Sequence, residues 1–199
     1  MKKLALAAAI GLISASAFAA QGDILARFRV INVNPDVSAD STLSAIHTDV
    51  KSDTVPELDF TYMITNNIGA ELILGTSRHE LTINGGTSLG KVSVLPPTLT
   101  LQYHFMPEAT FRPYVGLGVN YTRFYSNGLN VGGTAVDIDQ NSWGLAAQVG
   151  ADVAISKNLF INFDVKKIDI KTKARMGGSD LGTLKINPWV YGIGIGTKF

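Results

Sequence analysis

The sequence predicts an all-β fold, an eight-stranded antiparallel up-and-down transmembrane β-barrel. Three observations lead there. Eight segments alternate apolar and polar residues with period two, which is the pattern of strands with one greasy face. Their connections alternate strictly between short and long, as in a barrel with tight turns at one membrane surface and loops at the other. The chain opens with Met1, Lys2 and Lys3 before "LALAAAIGLISASAFAA", and the small residues Ala17 to Ala19 complete a secretory signal peptide over residues 1–19. Cleavage there leaves one domain at residues 20–199.

The first segment, "GDILARFRVINV", puts Ile24, Ala26, Phe28 and Val30 on one face and Arg27 and Arg29 on the other. "VPELDFTYMIT" sets Leu58, Phe60, Tyr62 and Ile64 against Glu57, Asp59, Thr61 and Met63, and "NIGAELILGTS" sets Ile68, Ala70, Leu72 and Leu74 against Gly69, Glu71, Ile73 and Gly75. The fourth, "LPPTLTLQYHF", places Leu99, Leu101, Tyr103 and Phe105 opposite Thr98, Thr100, Gln102 and His104, with Pro96 and Pro97 at its head. In "RPYVGLGVNYTRF", Val115, Leu117, Val119 and Tyr121 oppose Gly116, Gly118, Asn120 and Thr122. "SWGLAAQVGADVAI" opposes Trp143, Leu145, Ala147, Val149 and Val153 to Gly144, Ala146, Gln148, Gly150 and Asp152. "NLFINFDVKKIDI" opposes Leu159, Ile161, Phe163 and Val165 to Asn162, Asp164 and Lys166, and its phase slips near Lys167, where a bulge is expected. Last, "NPWVYGIGIGTKF" opposes Trp189, Tyr191, Ile193 and Ile195 to Gly192, Gly194 and Gly196.

The solvent that meets the apolar face decides between a soluble sandwich and a membrane barrel. Hydrophobic residues make up 46% of the chain, yet after the signal no uninterrupted apolar run approaches the roughly 20 residues of a membrane helix. Short turns fall at Asn66 and Asn67, at "MPEAT" and at "SKN", while longer loops span about residues 34–54, 77–90, 126–141 and 172–184. A sandwich of Greek keys has no reason to keep that order. Tyr62, Tyr103 and Phe105 lie near the turn ends of their strands and Trp143 and Trp189 near the loop ends, as two interfacial girdles would. Composition excludes other classes. There are no cysteines, which removes disulfides, thiolate nucleophiles and zinc–cysteine sites. Loss of Lys2 and Lys3 with the signal takes the formal charge from +1 to −1, so no basic field exists for nucleic acid.

The blocks "TYMITNNIGAEL", "LPPTLTLQYHF", "FRPYVGLGVNYTRFY", "SWGLAAQVGADVAISKN" and "NPWVYGIGIGTKF", in this order, resemble the outer-membrane protein W (OmpW) family. The resemblance implies a barrel of the Gram-negative outer membrane with extracellular loops and both termini periplasmic. It also implies passage of small hydrophobic molecules with exit through the barrel side. The partners expected are membrane lipids, small hydrophobic substrates and the outer-membrane assembly machinery, which Phe199 would engage as a C-terminal strand signal. No cofactor and no enzymatic activity are expected. The rival reading is a structural or adhesive barrel with a filled interior.

Candidate residues follow from the inward face. Arg27 and Arg29 face Glu57, Asp59 and Glu71, while Asp152, Asp164 and Lys166 form a second group; buried charges need partners, so these read as interior salt bridges rather than a polar path. Ile73 matches a bulky lumen position of the family and Lys166 stands where an aromatic would face it; Met63 and Val190 add to the lumen lining. The inward glycines either clear a lumen or relieve wall curvature. Pro96 and Pro97 lack N–H donors, one towards each neighbouring strand. Either they unzip the wall locally into a lateral exit, or the strand begins after two loop prolines. His47, His79 and His104 lie too far apart for one metal site, and "SRH" at Ser77 to His79 shows no catalytic trio. Loop 1, with an apolar centre at Leu43 to Ile46, covers the mouth or is a mobile surface loop.

Overall fold

The computed structural model describes residues 20–199; the expected signal peptide lies outside the described residues. In chain order the elements are β1 (Ile24–Asn34), β2 (Ser38–Ala39), α1 (Ser41–Ala45), β3 (Asp49–Val50), β4 (Asp53–Met63), β5 (Ile68–Gly75), β6 (Ser77–Ile83), β7 (Thr87–Leu95), β8 (Thr98–His104), β9 (Phe111–Tyr125), β10 (Asn130–Val131), β11 (Thr134–Ile138), β12 (Asn141–Ala154), β13 (Leu159–Ile168), β14 (Lys171–Met176), β15 (Ser179–Lys185) and β16 (Trp189–Lys198). Eight of them, β1, β4, β5, β8, β9, β12, β13 and β16, pair antiparallel in that order, and β16 returns to β1, so the wall has no free edge. At the seam the Phe199 N–H donates to the Ile24 carbonyl at 3.0 Å and the Ile24 N–H donates back at 3.1 Å.

These eight strands coincide with the eight alternating segments. The segments expected as loops differ. Residues 77–95 form the hairpin β6–β7, and β14–β15 form a second hairpin that joins β11 and β2 in a separate small sheet. We call this the hairpin end and the opposite side, with its short connections, the turn end.

Outward side chains form an apolar belt. Leu101, Leu117, Leu145, Ile193 and Ile195 are all exposed, Leu117 by 71%. A soluble chain has no reason to expose so many large hydrophobes in one continuous band. Aromatics rim it at both levels, with Tyr103 edge-on to Phe105 at 5.1 Å and Tyr121 against Trp143 at 4.8 Å.

Towards the hairpin end the polarity inverts. On β13, Asn162, Asp164, Lys166 and Ile168 all point inward, and the ladder with β12 runs without a shift from Ala154 and Phe160 to Ala146 and Ile168. The expected bulge at Lys167 is therefore absent. The phase in hydropathy slips because the solvent changes, not because the strand does. Outside the belt Lys167 reaches Asp36 at 2.7 Å and covers the Trp189 ring, while inside the belt's upper rim the inward positions turn apolar at Ile31, Ile73, Ile168 and Val190.

Gly75 lines a cavity, but in the lower half of the barrel, nearer the turn end, the inward glycines do not clear a lumen. They stand opposite the largest inward side chains of neighbouring strands: Gly150 pairs with Tyr114, Gly116 with Gln148 and Gly196 with Phe160. A methyl at Gly150 or Gly196 would overlap those rings. Small against large fills the interior at these levels. At Gly194 an added carbon would meet the Phe28 carbonyl itself, which cannot move aside like a side chain. Gly194→Ala is expected to lower stability by about 1–3 kcal/mol, the range for overpacking. Gly75→Ala, whose added carbon meets nothing closer than 3.6 Å, is expected to be nearly silent. Urea unfolding in detergent micelles distinguishes the two.

Candidate functional site

The lower barrel is closed by charge. Arg27 grips Asp152 through Nε at 3.1 Å and Nη2 at 2.9 Å, and its Nη1 reaches Asp59 at 2.9 Å and Thr61 at 2.7 Å. Arg29 meets Glu57 at 2.9 Å, Asp59 at 2.9 Å and Glu71 at 3.0 Å. Lys166 Nζ lies 2.8 Å from both Glu57 and Asp164. The two groups expected from strand neighbours are thus one network, because an eight-stranded barrel is narrow enough for side chains to meet across its axis. Neutral groups complete it. Thr100 donates to Glu71 at 2.9 Å and Gln148 donates to it at 2.6 Å; the Tyr114 hydroxyl donates to Asp164 at 2.8 Å, and Asn162 donates to Asp152 at 2.7 Å. Sequence reading placed Thr100, Gln148 and Asn162 on the inward face without their part in this network, and missed Tyr114, whose trace was its place opposite Gly150.

Above this floor lies an apolar cavity of about 50 Å³, lined by residues including Ile31, Ile73, Val94, Ile168, Ile170 and Val190, with Glu57 at its boundary with the network. A second, of about 40 Å³, follows towards the hairpin end between Leu81, Val92, Phe124 and Leu184. His79, Val94 and Ile186 line both. Leu43 of α1 is buried over the upper one, so loop 1 covers the mouth. It is held there by backbone of β15, where the Thr183 N–H donates to the Asp40 carboxylate at 2.6 Å.

The structure divides the expected lumen residues. Ile73 and Val190 line the lower cavity. Met63 does not, because it packs with Leu25 and Phe160 at the turn end, where β4 finishes. Lys166 does not either, because it is spent on Glu57 and Asp164. His104 is buried at the end of β8 and bonds Gln102 at 3.0 Å, far along the barrel from His79.

The wall is interrupted beside the cavity. β5 and β8 pair up to Ile73 and Thr98, and pairing resumes between β6 and β7 at Ser77 and Val94. Between these levels Leu74, Gly75 and Thr76 pass Leu95, Pro96 and Pro97 without a ladder pair. The Thr76 hydroxyl spans the interval, donating to the Val94 carbonyl at 3.1 Å. On the other flank β9 keeps its register past the prolines and stays bridged to them: the Tyr121 N–H donates to the Pro97 carbonyl at 3.0 Å, Asn120 Nδ2 to the Pro96 carbonyl at 3.2 Å, and Leu95 pairs with Arg123 above. Each proline lacks its donor, Pro97 on the β9 flank opposite Tyr121 and Pro96 on the β5 flank, but a proline keeps its carbonyl, and that of Pro97 still bridges to β9. Gly75, Thr76 and Pro96 at this interruption also line the lower cavity.

Ser77 and His79, expected to be a loop pair with no chemistry, sit two apart on β6 and so share its inward face. Ser77 Oγ lies 2.8 Å from His79 Nε2, and His79 Nδ1 lies 2.8 Å from the Lys51 carbonyl. Lys51 is itself fixed to β6, its N–H donating to the Glu80 carbonyl at 2.9 Å and its Nζ to the Glu80 carboxylate at 2.8 Å. Hydrogen bonds from Lys51 and Ser88 hold the Glu80 carboxyl below its usual range.

The chain is similar to known proteins in sequence and in fold. A family model described as "OmpW family" matches residues 20–199. Over an alignment of 212 residues the chain is 38% identical to outer membrane protein W of Escherichia coli K12, with 100% of both chains covered. It is 44% identical over 151 residues to an uncharacterized outer-membrane protein, y4mB, of Sinorhizobium fredii, covering 73% of this chain and 66% of that one. Among solved structures it is similar to the outer membrane protein OprG of Pseudomonas aeruginosa, with a TM-score of 0.82 at 33% identity over 92% of this chain and 98% of that one.

Proposed function

The chain belongs to the OmpW family of outer-membrane barrels, and from that premise we propose that it admits small hydrophobic molecules at the hairpin end and releases them sideways into the membrane. One observation carries the reading: an apolar cavity whose floor is sealed by ion pairs and whose side abuts the interval at Gly75, Thr76 and Pro96 where the ladder is missing. In this reading the hairpins are extracellular and both termini periplasmic. A molecule that passes Leu43 and descends to Ile73 meets Glu57 and Lys166 below, where desolvating the ion pairs is costly. The lateral route leads instead to acyl chains, and each CH₂ transferred there gains about 0.8 kcal/mol.

Replacing Pro96 and Pro97 together by threonine restores two N–H donors, that of residue 96 towards the interval and that of residue 97 towards β9. Uptake of an apolar fluorescent probe through a bilayer with a lipopolysaccharide outer leaflet is expected to fall severalfold, with the barrel equally resistant to denaturation. Undiminished uptake would rule out the lateral route. The filled lower half also favours a second reading, a barrel that serves to display its hairpins; it requires that the native protein raise probe uptake no further than an empty bilayer does.

A further inference from the structure

The Ser77 and His79 pair places a polar group in a passage lined mostly by apolar side chains, and its hydrogen bonding has a definite sense. The Lys51 carbonyl can only accept, so in the neutral ring His79 Nδ1 carries the proton and Nε2 is the acceptor. The Ser77 hydroxyl therefore donates to Nε2, at 2.8 Å, and its donor is used up. A hydroxyl oxygen has two lone pairs besides. The other hydroxyls of the lower cavity differ. Thr98 donates to the Pro96 carbonyl and accepts from Asn120 Nδ2 at 2.8 Å. Thr76 donates to the Val94 carbonyl and takes the Tyr125 hydroxyl at 2.6 Å. Glu57 is held by Arg29 and Lys166. Among the described residues no protein donor is directed at Ser77 Oγ, unlike these other groups, and both it and His79 are buried, at 7% and 6% exposure.

We infer that Ser77 and His79 form a binding subsite for apolar molecules bearing one hydrogen-bond donor, such as a phenol or an aliphatic alcohol, with Ser77 Oγ accepting from the ligand hydroxyl. The subsite lies where the two cavities meet, since Ser77 lines the lower one and His79 lines both. A ligand there keeps its hydrocarbon against Val94, Ile170 and Ile186 while its hydroxyl keeps a partner it would otherwise lose on leaving water. A hydrocarbon of the same shape gains only the apolar contacts. This subsite rests on the passage proposed above and names the substrates that passage prefers.

The test compares p-cresol with toluene, which differ by one hydroxyl, binding to the full barrel in phospholipid nanodiscs, with empty nanodiscs subtracted. Native protein is expected to hold p-cresol roughly fivefold more tightly than toluene, the effect of one hydrogen bond. The double variant Ser77→Ala, His79→Leu removes both acceptors and is expected to bind the two equally, with toluene affinity unchanged. Ser77→Thr, which keeps the hydroxyl, is expected to retain the preference and guards against misfolding as the cause. Equal binding by native protein, or a preference that survives in the double variant, overturns the subsite and leaves the passage standing. Binding of neither compound overturns both.

Discussion

Arg29→Ala is expected to destabilise the barrel by about 3–5 kcal/mol, the cost of removing one partner from a buried ion pair. Arg29 is fully buried and stands within 3.0 Å of Glu57, Asp59 and Glu71 at once. Without it these carboxylates keep Arg27 and Lys166, which are already engaged with Asp59, Asp152 and Asp164. Repulsion among uncompensated carboxylates then acts in a region that water reaches poorly. Arg29→Lys is expected to recover part of the loss, because one ammonium cannot reproduce a planar fork aimed at three acids. The measurement is urea unfolding of the reconstituted barrel. A midpoint unmoved by Arg29→Ala would mean that the charges do not hold the interior together.

Leu117→Arg is expected to cost about 2–4 kcal/mol, as a cation does near the midplane on a lipid-facing barrel position. Leu117 sits on β9 between Leu101 of β8 and Ala147 of β12, inside the apolar belt. Val131→Arg, on β10 among the hairpins, makes the same chemical change beyond the belt and is expected to cost no more than about 0.5 kcal/mol. Equilibrium folding into liposomes compares them. Equal costs at the two positions would place Leu117 in contact with something other than lipid.

The wall was readable because one solvent dictates it. Acyl chains accept no hydrogen bond, so every outward position of β1, β8 or β16 inside the belt must be apolar, and period two survives intact. Beyond the belt that demand ends. β6 carries Ser77, His79 and Leu81 inward against Arg78 and Glu80 outward, too mixed an alternation to stand out, and it reads as loop. The apparent slip at Lys167 arises from the same change of surroundings. Contacts across the axis were unreadable for a different reason. Arg27 and Asp152 lie 125 residues apart, and neither neighbouring strand pairing nor spacing brings them together. What the sequence did contain was the small-opposite-large arrangement: Gly150 facing Tyr114 and Gly196 facing Phe160 mark where bulk crosses the interior.

The seam between β1 and β16 also orders the assembly in time. The first wall strand cannot find its second partner until the eighth has arrived, so until then two β edges remain unpaired, each a template for the wrong neighbour. Pairings so remote in sequence are slow to form. Both margins stay open to mispairing until the cylinder shuts.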